Sequence, residues 1–252
     1  MSYFTTERIL SVHHWDDKLF SFRCTRPPEL KFENGQFVLI GLMTDGKPLM
    51  RAYSFVSEQS DPELEFLSIK VPDGALTSRL SQIRVDDEIL VAKIAKGTLV
   101  LPDLKPGKRL FLLATGTGLA PFISILRNSN VFDQFERVIL VHGVRRVSEL
   151  AYRDELETTV NRHGLIYYPT VTRESFKHQG RIPDLLTTGQ LLRDTVIDPF
   201  SCETDRWMIC GNKAMLADTV SLLDDMGFQK STRRGETGDY LIEQAFAVTK
   251  AN

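Results

Sequence analysis

Three stretches of this 252-residue chain combine residue types that could do chemistry. In "LATGTGLAPF", residues 113–122, Gly116 and Gly118 have the G-x-G spacing of a phosphate loop, flanked by Thr115 and Thr117, and Pro121 stands where a third glycine would complete G-x-x-G. Two glycines let a backbone approach a pyrophosphate, and a following helix would turn its unpaired N–H groups toward the charge. Proline suits the first turn of that helix, where its missing N–H removes no bond. A plain strand-to-helix turn could carry the same residues. The second stretch is a series of arginines. "VHGVRRVSE" holds Arg145 and Arg146, "TVTRES" holds Thr172 and Arg173, and "HQGRIP" holds Arg181. A dinucleotide site that prefers NAD usually has an acidic residue at the end of the second strand for the ribose hydroxyls; basic residues there favour a 2′-phosphate, hence NADP(H). Each arginine taken singly reads rather as a solvated surface charge; it is their place after consecutive strands, which projects them to one edge, that favours the phosphate. The third stretch is "RAYSFVS", 51–57: on a strand Arg51 and Tyr53 share one face, Ala52 and Ser54 the other. An edge strand with an exposed arginine would look the same.

The elements that must position these residues change character near position 105. Before it, "RILSVHH", "LFSFRCT", "QFVLIGLM", "AYSFVS", "LEFLSIKV" and "EILVAKI" are short β-rich runs parted by "WDDK", "RPPE", "ENG", "TDGKP" and "SDPE", which predicts an antiparallel β-barrel. Within it "GALTSRLSQI", 74–83, places Leu76, Leu80 and Ile83 at helical spacing. "LPDLKPGKR" is the predicted connection. After it, strands "RLFLLAT", "RVILVHGV", "LIYYPTVT" and "RWMICG" alternate with helices "APFISILRN", "SELAYRDELETTVNR" and "NKAMLADTVSLLDDMG", an α/β pattern with parallel pairing through right-handed crossovers. Two domains are expected, 1–104 and 105–252. Ligands of such an α/β sheet sit at the carboxyl ends of its strands, where the glycine loop and the arginines fall.

Bulk composition narrows the function. With 42% hydrophobic residues, 25% charged and a net charge of −2, the chain reads as an ordinary globular protein with no polyanionic partner, so no nucleic acid is expected. The start has no basic segment followed by an apolar run, and no run approaches a membrane span, so no membrane partner and a cytoplasmic location are expected. Cys24, Cys202 and Cys210 are odd in number and lack C-x-x-C spacing, which fits free thiols and excludes a thiolate-held iron–sulfur cluster. His13 and His14 would point to opposite faces of a strand, and no metal site is expected.

Taken in order, Arg-x-Tyr-Ser on a barrel strand, a G-T-G-x-A-P loop in a following α/β domain and a late C-G-x-x-x-M resemble the ferredoxin–NADP(H) reductase superfamily over the whole chain. "SIKVPDGALTSRL" and "GDYLIEQAF" look most like its bacterial subclass of ferredoxin (flavodoxin)–NADP(+) reductases. The resemblance implies FAD on the barrel and NADP(H) on the α/β domain. It implies that Arg51 pairs with the FAD pyrophosphate, that Tyr53 lies against the isoalloxazine, and that Ser54, beyond Ala52, hydrogen-bonds near flavin N5. Lys70 and Val71 would lead into a turn where the backbone at Leu76 and the hydroxyls of Thr77 and Ser78 receive further pyrophosphate oxygens. Thr115, Gly116, Thr117, Gly118 and Pro121 align with the nicotinamide and pyrophosphate loop. Arg145, Thr172, Arg173 and Arg181 align with the 2′-phosphate contacts, and Cys210 and Gly211 with the residues flanking the nicotinamide. On composition alone Cys210 would be a small buried core residue.

One departure concerns the end of the chain. Plant-type members finish on an aromatic residue over the flavin; here Ala245 takes that place, and the chain runs on through Phe246, which the resemblance puts on the adenine, to Asn252. A frayed terminus is the alternative. Glu243 aligns with an acidic residue that assists protonation, so that Ser54, Cys210 and Glu243 form the implied catalytic set. The implied activity is electron transfer between NADPH and a separate one-electron carrier, ferredoxin or flavodoxin, by a monomer. A flavin reductase or an oxygenase's reductase component would keep the same fold, and a nucleotide-binding module without turnover is the alternative from another class.

Overall fold

The structure is a computed structural model, and it describes residues 3–71 and 74–245. The chain divides into two compact units, Met1–Gly97 with Ala120–Asn128, and Thr98–Leu119 with Ser129–Asn252.

The first unit is built on β1 (Phe4–His14), β2 (Leu19–Thr25), β3 (Phe37–Thr44), β4 (Lys47–Ser54), β5 (Glu63–Ile69), the four-residue helix α1 (Thr77–Leu80) and β6 (Glu88–Ala92). The six strands pair antiparallel in the order β4-β3-β6-β1-β2-β5. A bridge between Phe55, just past β4, and Phe66 of β5 joins the two edges into a barrel. Turn chemistry sets the registers. Asp16 Oδ1 accepts from the backbone N of Lys18 and of Leu19 at 2.7 and 2.6 Å, folding the β1–β2 turn. Asp45 and Gly46, with φ of 50° and 73°, make the two-residue reversal whose twist suits a hairpin. Only these two residues of "TDGKP" are turn: β4 therefore starts at Lys47, earlier than the predicted "AYSFVS", and Pro48 is tolerated because β4 lies at the end of the strand order. Phe20, Phe22, Phe55 and Phe66 fill the barrel, with Phe32 stacked on Phe55 at 3.8 Å. The helix predicted over 74–83 shrinks to α1 because the chain passes into three-residue turns, Gln82 N to Arg79 O and Ile83 N to Leu80 O, while Leu76, Leu80 and Ile83 still reach the core. The helix α2 (Ala120–Arg127) belongs to this unit, tied by Ser124 Oγ to Ser57 O at 2.7 Å and by Arg127 Nη1 to Glu65 Oε2 at 2.7 Å.

The second unit contains β7 (Arg109–Thr115), α3 (Asn130–Gln134), β8 (Arg137–Val144), α4 (Arg153–His163), β9 (Ile166–Val171), α5 (Ile182–Thr187), α6 (Gln190–Thr195), β10 (Asp205–Gly211), α7 (Lys213–Asp225) and β11 (Tyr240–Gln244). Its five strands are all parallel, in the order β11-β10-β7-β8-β9. β7, β8 and β10 are near-continuous apolar runs because both sheet faces are covered. Phe111 and Trp207 stack at 4.2 Å in the core. The helix expected from Ser148 starts at Arg153, since Tyr152 takes a left-handed φ of 58° that breaks the run. Among the described residues no helix is long and apolar enough to cross a membrane.

The amino ends of the two central strands are joined by a buried ion pair. Arg109 opens β7, Asp205 opens β10, and the two are register partners. The guanidinium reaches both carboxylate oxygens at 2.5 and 2.7 Å and also donates to the carbonyls of Asp198 and Pro199 at 2.9 Å. Ser201 N and Thr204 Oγ1 supply further donors to Asp205 at 2.9 and 3.0 Å. Satisfying every lone pair in this way offsets the desolvation of both charges. Asp205→Ala strands the Arg109 charge and is expected to destabilise the second unit by about 3–5 kcal/mol, read as a lower urea midpoint of the tryptophan signal; an unchanged midpoint would show the pair to be dispensable.

Candidate functional site

At the carboxyl edge of the parallel sheet, β7 ends at Thr115 and the next four residues, Gly116–Leu119, form a single tight turn. Gly118 is required by contact: a Cβ there would lie 2.3 Å from the Cys210 carbonyl oxygen, inside any permitted separation. The loop is thereby pressed against the end of β10. Thr115 Oγ1 accepts from the backbone N and the side-chain Nδ2 of Asn212 at 3.0 and 3.2 Å, and Asn212 Oδ1 caps α7 by accepting from Met215 N at 3.1 Å. His142, buried in β8 beside Ala114, donates from Nε2 to the Gly116 carbonyl at 3.3 Å, since a carbonyl can only accept. Its Nδ1 is buried with no partner among the described residues, and burial pushes the imidazole down to about 4 despite that bond, so the ring is neutral at physiological pH. His142 and Asn212 therefore set the shape of the loop. Neither was legible as a site residue, because one sits within an apolar strand run and the other reads only as a helix cap.

Cys210 and Glu243 are register neighbours on β10 and β11. Burial, then the charge of Glu243, pushes the Cys210 thiol well above the ordinary range, so it remains protonated and is neither a base nor a thiolate nucleophile. Gly211 follows, buried, and its carbonyl accepts from Ala245 N at 3.0 Å, which holds the chain beyond β11 against the same edge. Phe246 lies outside the described residues.

The arginines stand past the next two strands of that edge. Thr172 N and Arg173 N donate to Val144 O and Arg145 O at 3.1 and 2.9 Å, so the β8–β9 ladder continues one step beyond the strands and brings Arg145 and Arg173 side by side. Arg181 begins α5, its carbonyl accepting from Leu185 N at 3.0 Å. Arg145, Thr172, Arg173 and Arg181 are all exposed, and among the described residues none of the three arginines makes an ion pair. A glycine-tight turn beside uncommitted guanidinium groups fits a phosphorylated dinucleotide.

On the first unit, the Arg51 guanidinium is exposed and donates to the neighbouring Met50 carbonyl at 2.7 Å. Tyr53 is half-buried, its hydroxyl 3.0 Å from Ser68 Oγ and its ring edge-on to Phe66 with centroids 6.4 Å apart. Burial raises the phenol above its usual range, outweighing the lowering by Ser68 and Arg51, so it is neutral. Ala52 is exposed, and Ser54 ends β4 opposite Phe37. Lys70 and Val71 are exposed, whereas the Leu76 side chain is in the barrel core and can offer a ligand only its backbone. The hydroxyls of Thr77 and Ser78 already hold the turn, the first accepting from Val71 N at 3.3 Å and the second donating to Gly74 O at 2.7 Å. A flat ring packed on the barrel beside an exposed guanidinium fits a planar heterocycle carrying a phosphate.

Comparison with known proteins agrees with both halves. A family model described as an oxidoreductase FAD-binding domain matches residues 8–99, and one described as an oxidoreductase NAD-binding domain matches 112–221. The chain is 53% identical to the ferredoxin–NADP reductase of Pseudomonas aeruginosa, over 98% of this chain and 99% of that one. It is 47% identical to the flavodoxin/ferredoxin–NADP reductase of Rhodobacter capsulatus, over 95% and 92%. Among solved structures, a ferredoxin NADP+ reductase from Neisseria gonorrhoeae with bound FAD and NADP superposes with a TM-score of 0.91 at 33% identity, covering 98% of this chain and all of that one. Agreement of this extent, end to end in sequence and in fold, shows that the chain belongs to the ferredoxin–NADP reductase family of FAD-dependent oxidoreductases.

Proposed function

We propose that this protein passes electrons between NADPH and a separate one-electron carrier, ferredoxin or flavodoxin, with FAD held by residues 1–104 and NADP(H) by 105–252. The observation that carries the nucleotide half is the group of exposed guanidiniums beyond β8 and β9, without ion pairs among the described residues, on the same sheet edge as the Gly118 turn. The relatives' names, which include both carriers, support the acceptor class. FAD, when bound, supplies the conversion between the electron pair of NADPH and single-electron transfer. The rest is done by side chains and backbone of this chain.

Arg51 offers a planar fork to phosphate oxygens, and Tyr53, wedged against Phe66, presents a ring already fixed in orientation, so little entropy is lost on stacking. Ser54 supplies a hydroxyl that can donate or accept as the ring nitrogen it faces changes protonation. Lys70, Val71 and the segment 74–78 contribute backbone N–H groups, the Thr77 hydroxyl accepting from Val71 N and that of Ser78 donating to Gly74 O. In the second unit, Thr115, Gly116, Thr117 and Gly118 accept the pyrophosphate and nicotinamide, and Pro121 follows that loop in the first turn of α2. Arg145, Thr172, Arg173 and Arg181 bind the 2′-phosphate. Cys210 and Gly211 flank the nicotinamide, the neutral thiol giving an uncharged polarizable surface, with Glu243 beside it to hold a proton. Ala245, held at the Gly211 carbonyl, puts a small side chain at that edge, which would leave the flavin less shielded than an aromatic residue there.

The acceptor is tested by anaerobic oxidation of NADPH with ferredoxin, flavodoxin or free flavin. Fast turnover with a protein carrier is expected, and turnover with free flavin alone would overturn the proposal. Arg145→Ala and Arg181→Ala are each expected to raise the KM for NADPH by about 10- to 100-fold, the loss of one charge-assisted contact of roughly 1.5–3 kcal/mol, and to leave that for NADH unchanged. An unaltered NADPH-to-NADH preference in both would remove these arginines from the phosphate site. Arg51→Ala should retain less FAD after gel filtration, with a dissociation constant about tenfold or more higher; full flavin occupancy would show that the pyrophosphate is held elsewhere.

A further inference from the structure

Arg145 and Arg146 are neighbours in sequence but not in circumstance. Arg145 makes no ion pair among the described residues, whereas Arg146 Nη1 lies 3.8 Å from Glu174 Oε2. The other oxygen of Glu174 accepts from Val147 N at 2.5 Å, and Gln179 Nε2 holds the Glu174 carbonyl at 2.7 Å. Glu149 Oε2 in turn accepts from Arg145 N at 2.8 Å. Two carboxylates thus occupy the backbone amides on either side of Arg146, and the strand-end bond from Arg173 N to Arg145 O joins the two loops. With these two amides taken by anions of the chain itself, exposed guanidiniums remain as donors: Arg145 and Arg173 have no ion pair among the described residues, and Arg146, 64% exposed, meets only Glu174.

We infer that the adjacent arginines do opposite jobs: Arg145 binds the phosphate, while Arg146 and Glu174 form a clasp, with Glu174 acting as a positioning residue that strengthens anion binding by fixing the 145–147 loop. The inference rests on the 2′-phosphate assignment above and adds to it a residue whose charge is of the wrong sign to be a ligand. That sign makes the claim testable. Through charge alone, removing a carboxylate near an anion site tightens the anion. Through position, removing it releases the loop and weakens the anion.

The test is calorimetric binding of 2′-phospho-AMP and of AMP to the FAD-loaded protein, with near-ultraviolet circular dichroism as the folding check. Glu174→Ala should weaken 2′-phospho-AMP by about 5- to 20-fold and leave AMP unchanged. Glu174→Gln, which retains an acceptor for Val147 N, should recover most of the affinity. Arg146→Ala should lose much less than Arg145→Ala. Unchanged or tighter 2′-phospho-AMP binding in Glu174→Ala overturns the clasp, as does a loss in Arg146→Ala equal to that in Arg145→Ala. Arg145→Ala separates the two levels of the argument: if it too binds 2′-phospho-AMP normally, the phosphate assignment itself fails, whereas if it alone is impaired, only the clasp does.

Discussion

A single methyl group on Gly118 would collide with the carbonyl oxygen of Cys210, and much of the second unit follows from that contact. It presses the turn after β7 against the end of β10, so two strands that are neighbours in the sheet also share one edge surface. The Thr115 hydroxyl clamps Asn212 at the same place, and Asn212 starts α7. His142 braces the turn from β8 through the Gly116 carbonyl. An uncharged brace suits this position, since desolvation of the buried imidazole outweighs its bond to the Gly116 carbonyl and holds it neutral.

The parallel sheet separates stability from ligand contact along its length. At the amino ends, Arg109 and Asp205 are buried with nearly every donor and acceptor matched. At the carboxyl ends, charge is left exposed on Arg145, Arg173 and Arg181, with no ion pair among the described residues. The difference is one of completed coordination. A charge whose hydrogen bonds are all made contributes to one rigid arrangement; a charge left in water is available to an incoming anion. The barrel shows a similar division within β4, where Tyr53 is anchored to the core by Ser68 and Phe66 and Arg51, two positions away, lies open.

Much of this was legible in the sequence because it depends on short-range pattern. Period-two runs broken by Asp-Gly and Pro-rich turns specified an antiparallel barrel, and alternating apolar strands and amphipathic helices specified a parallel sheet, since hydrophobic period and turn chemistry are local properties. The G-x-G spacing and the arginines after successive strands marked the candidate residues, and their roles came from the resemblance of the G-T-G-x-A-P loop and its companion motifs to a known family. The motifs, in their order, also determined the family.

What only the tertiary structure decided is pairing at a distance and the commitments of individual side chains. β11 was not read as a strand, because "YLIEQ" is too short to show a period by itself; its pairing with β10 sets Glu243 beside Cys210. Thr77 and Ser78 carry free hydroxyls in the sequence, but the fold uses them to close their own turn. Arg145 and Arg146 are the same residue type one position apart, and composition cannot tell them apart. Whether a guanidinium meets a carboxylate depends on where a second loop, at Glu174, is brought by the β8–β9 ladder. Sequence by itself supplies the charge and its approximate place; three-dimensional packing determines which charges are already neutralised, because electrostatic partners are chosen by distance in space and not along the chain.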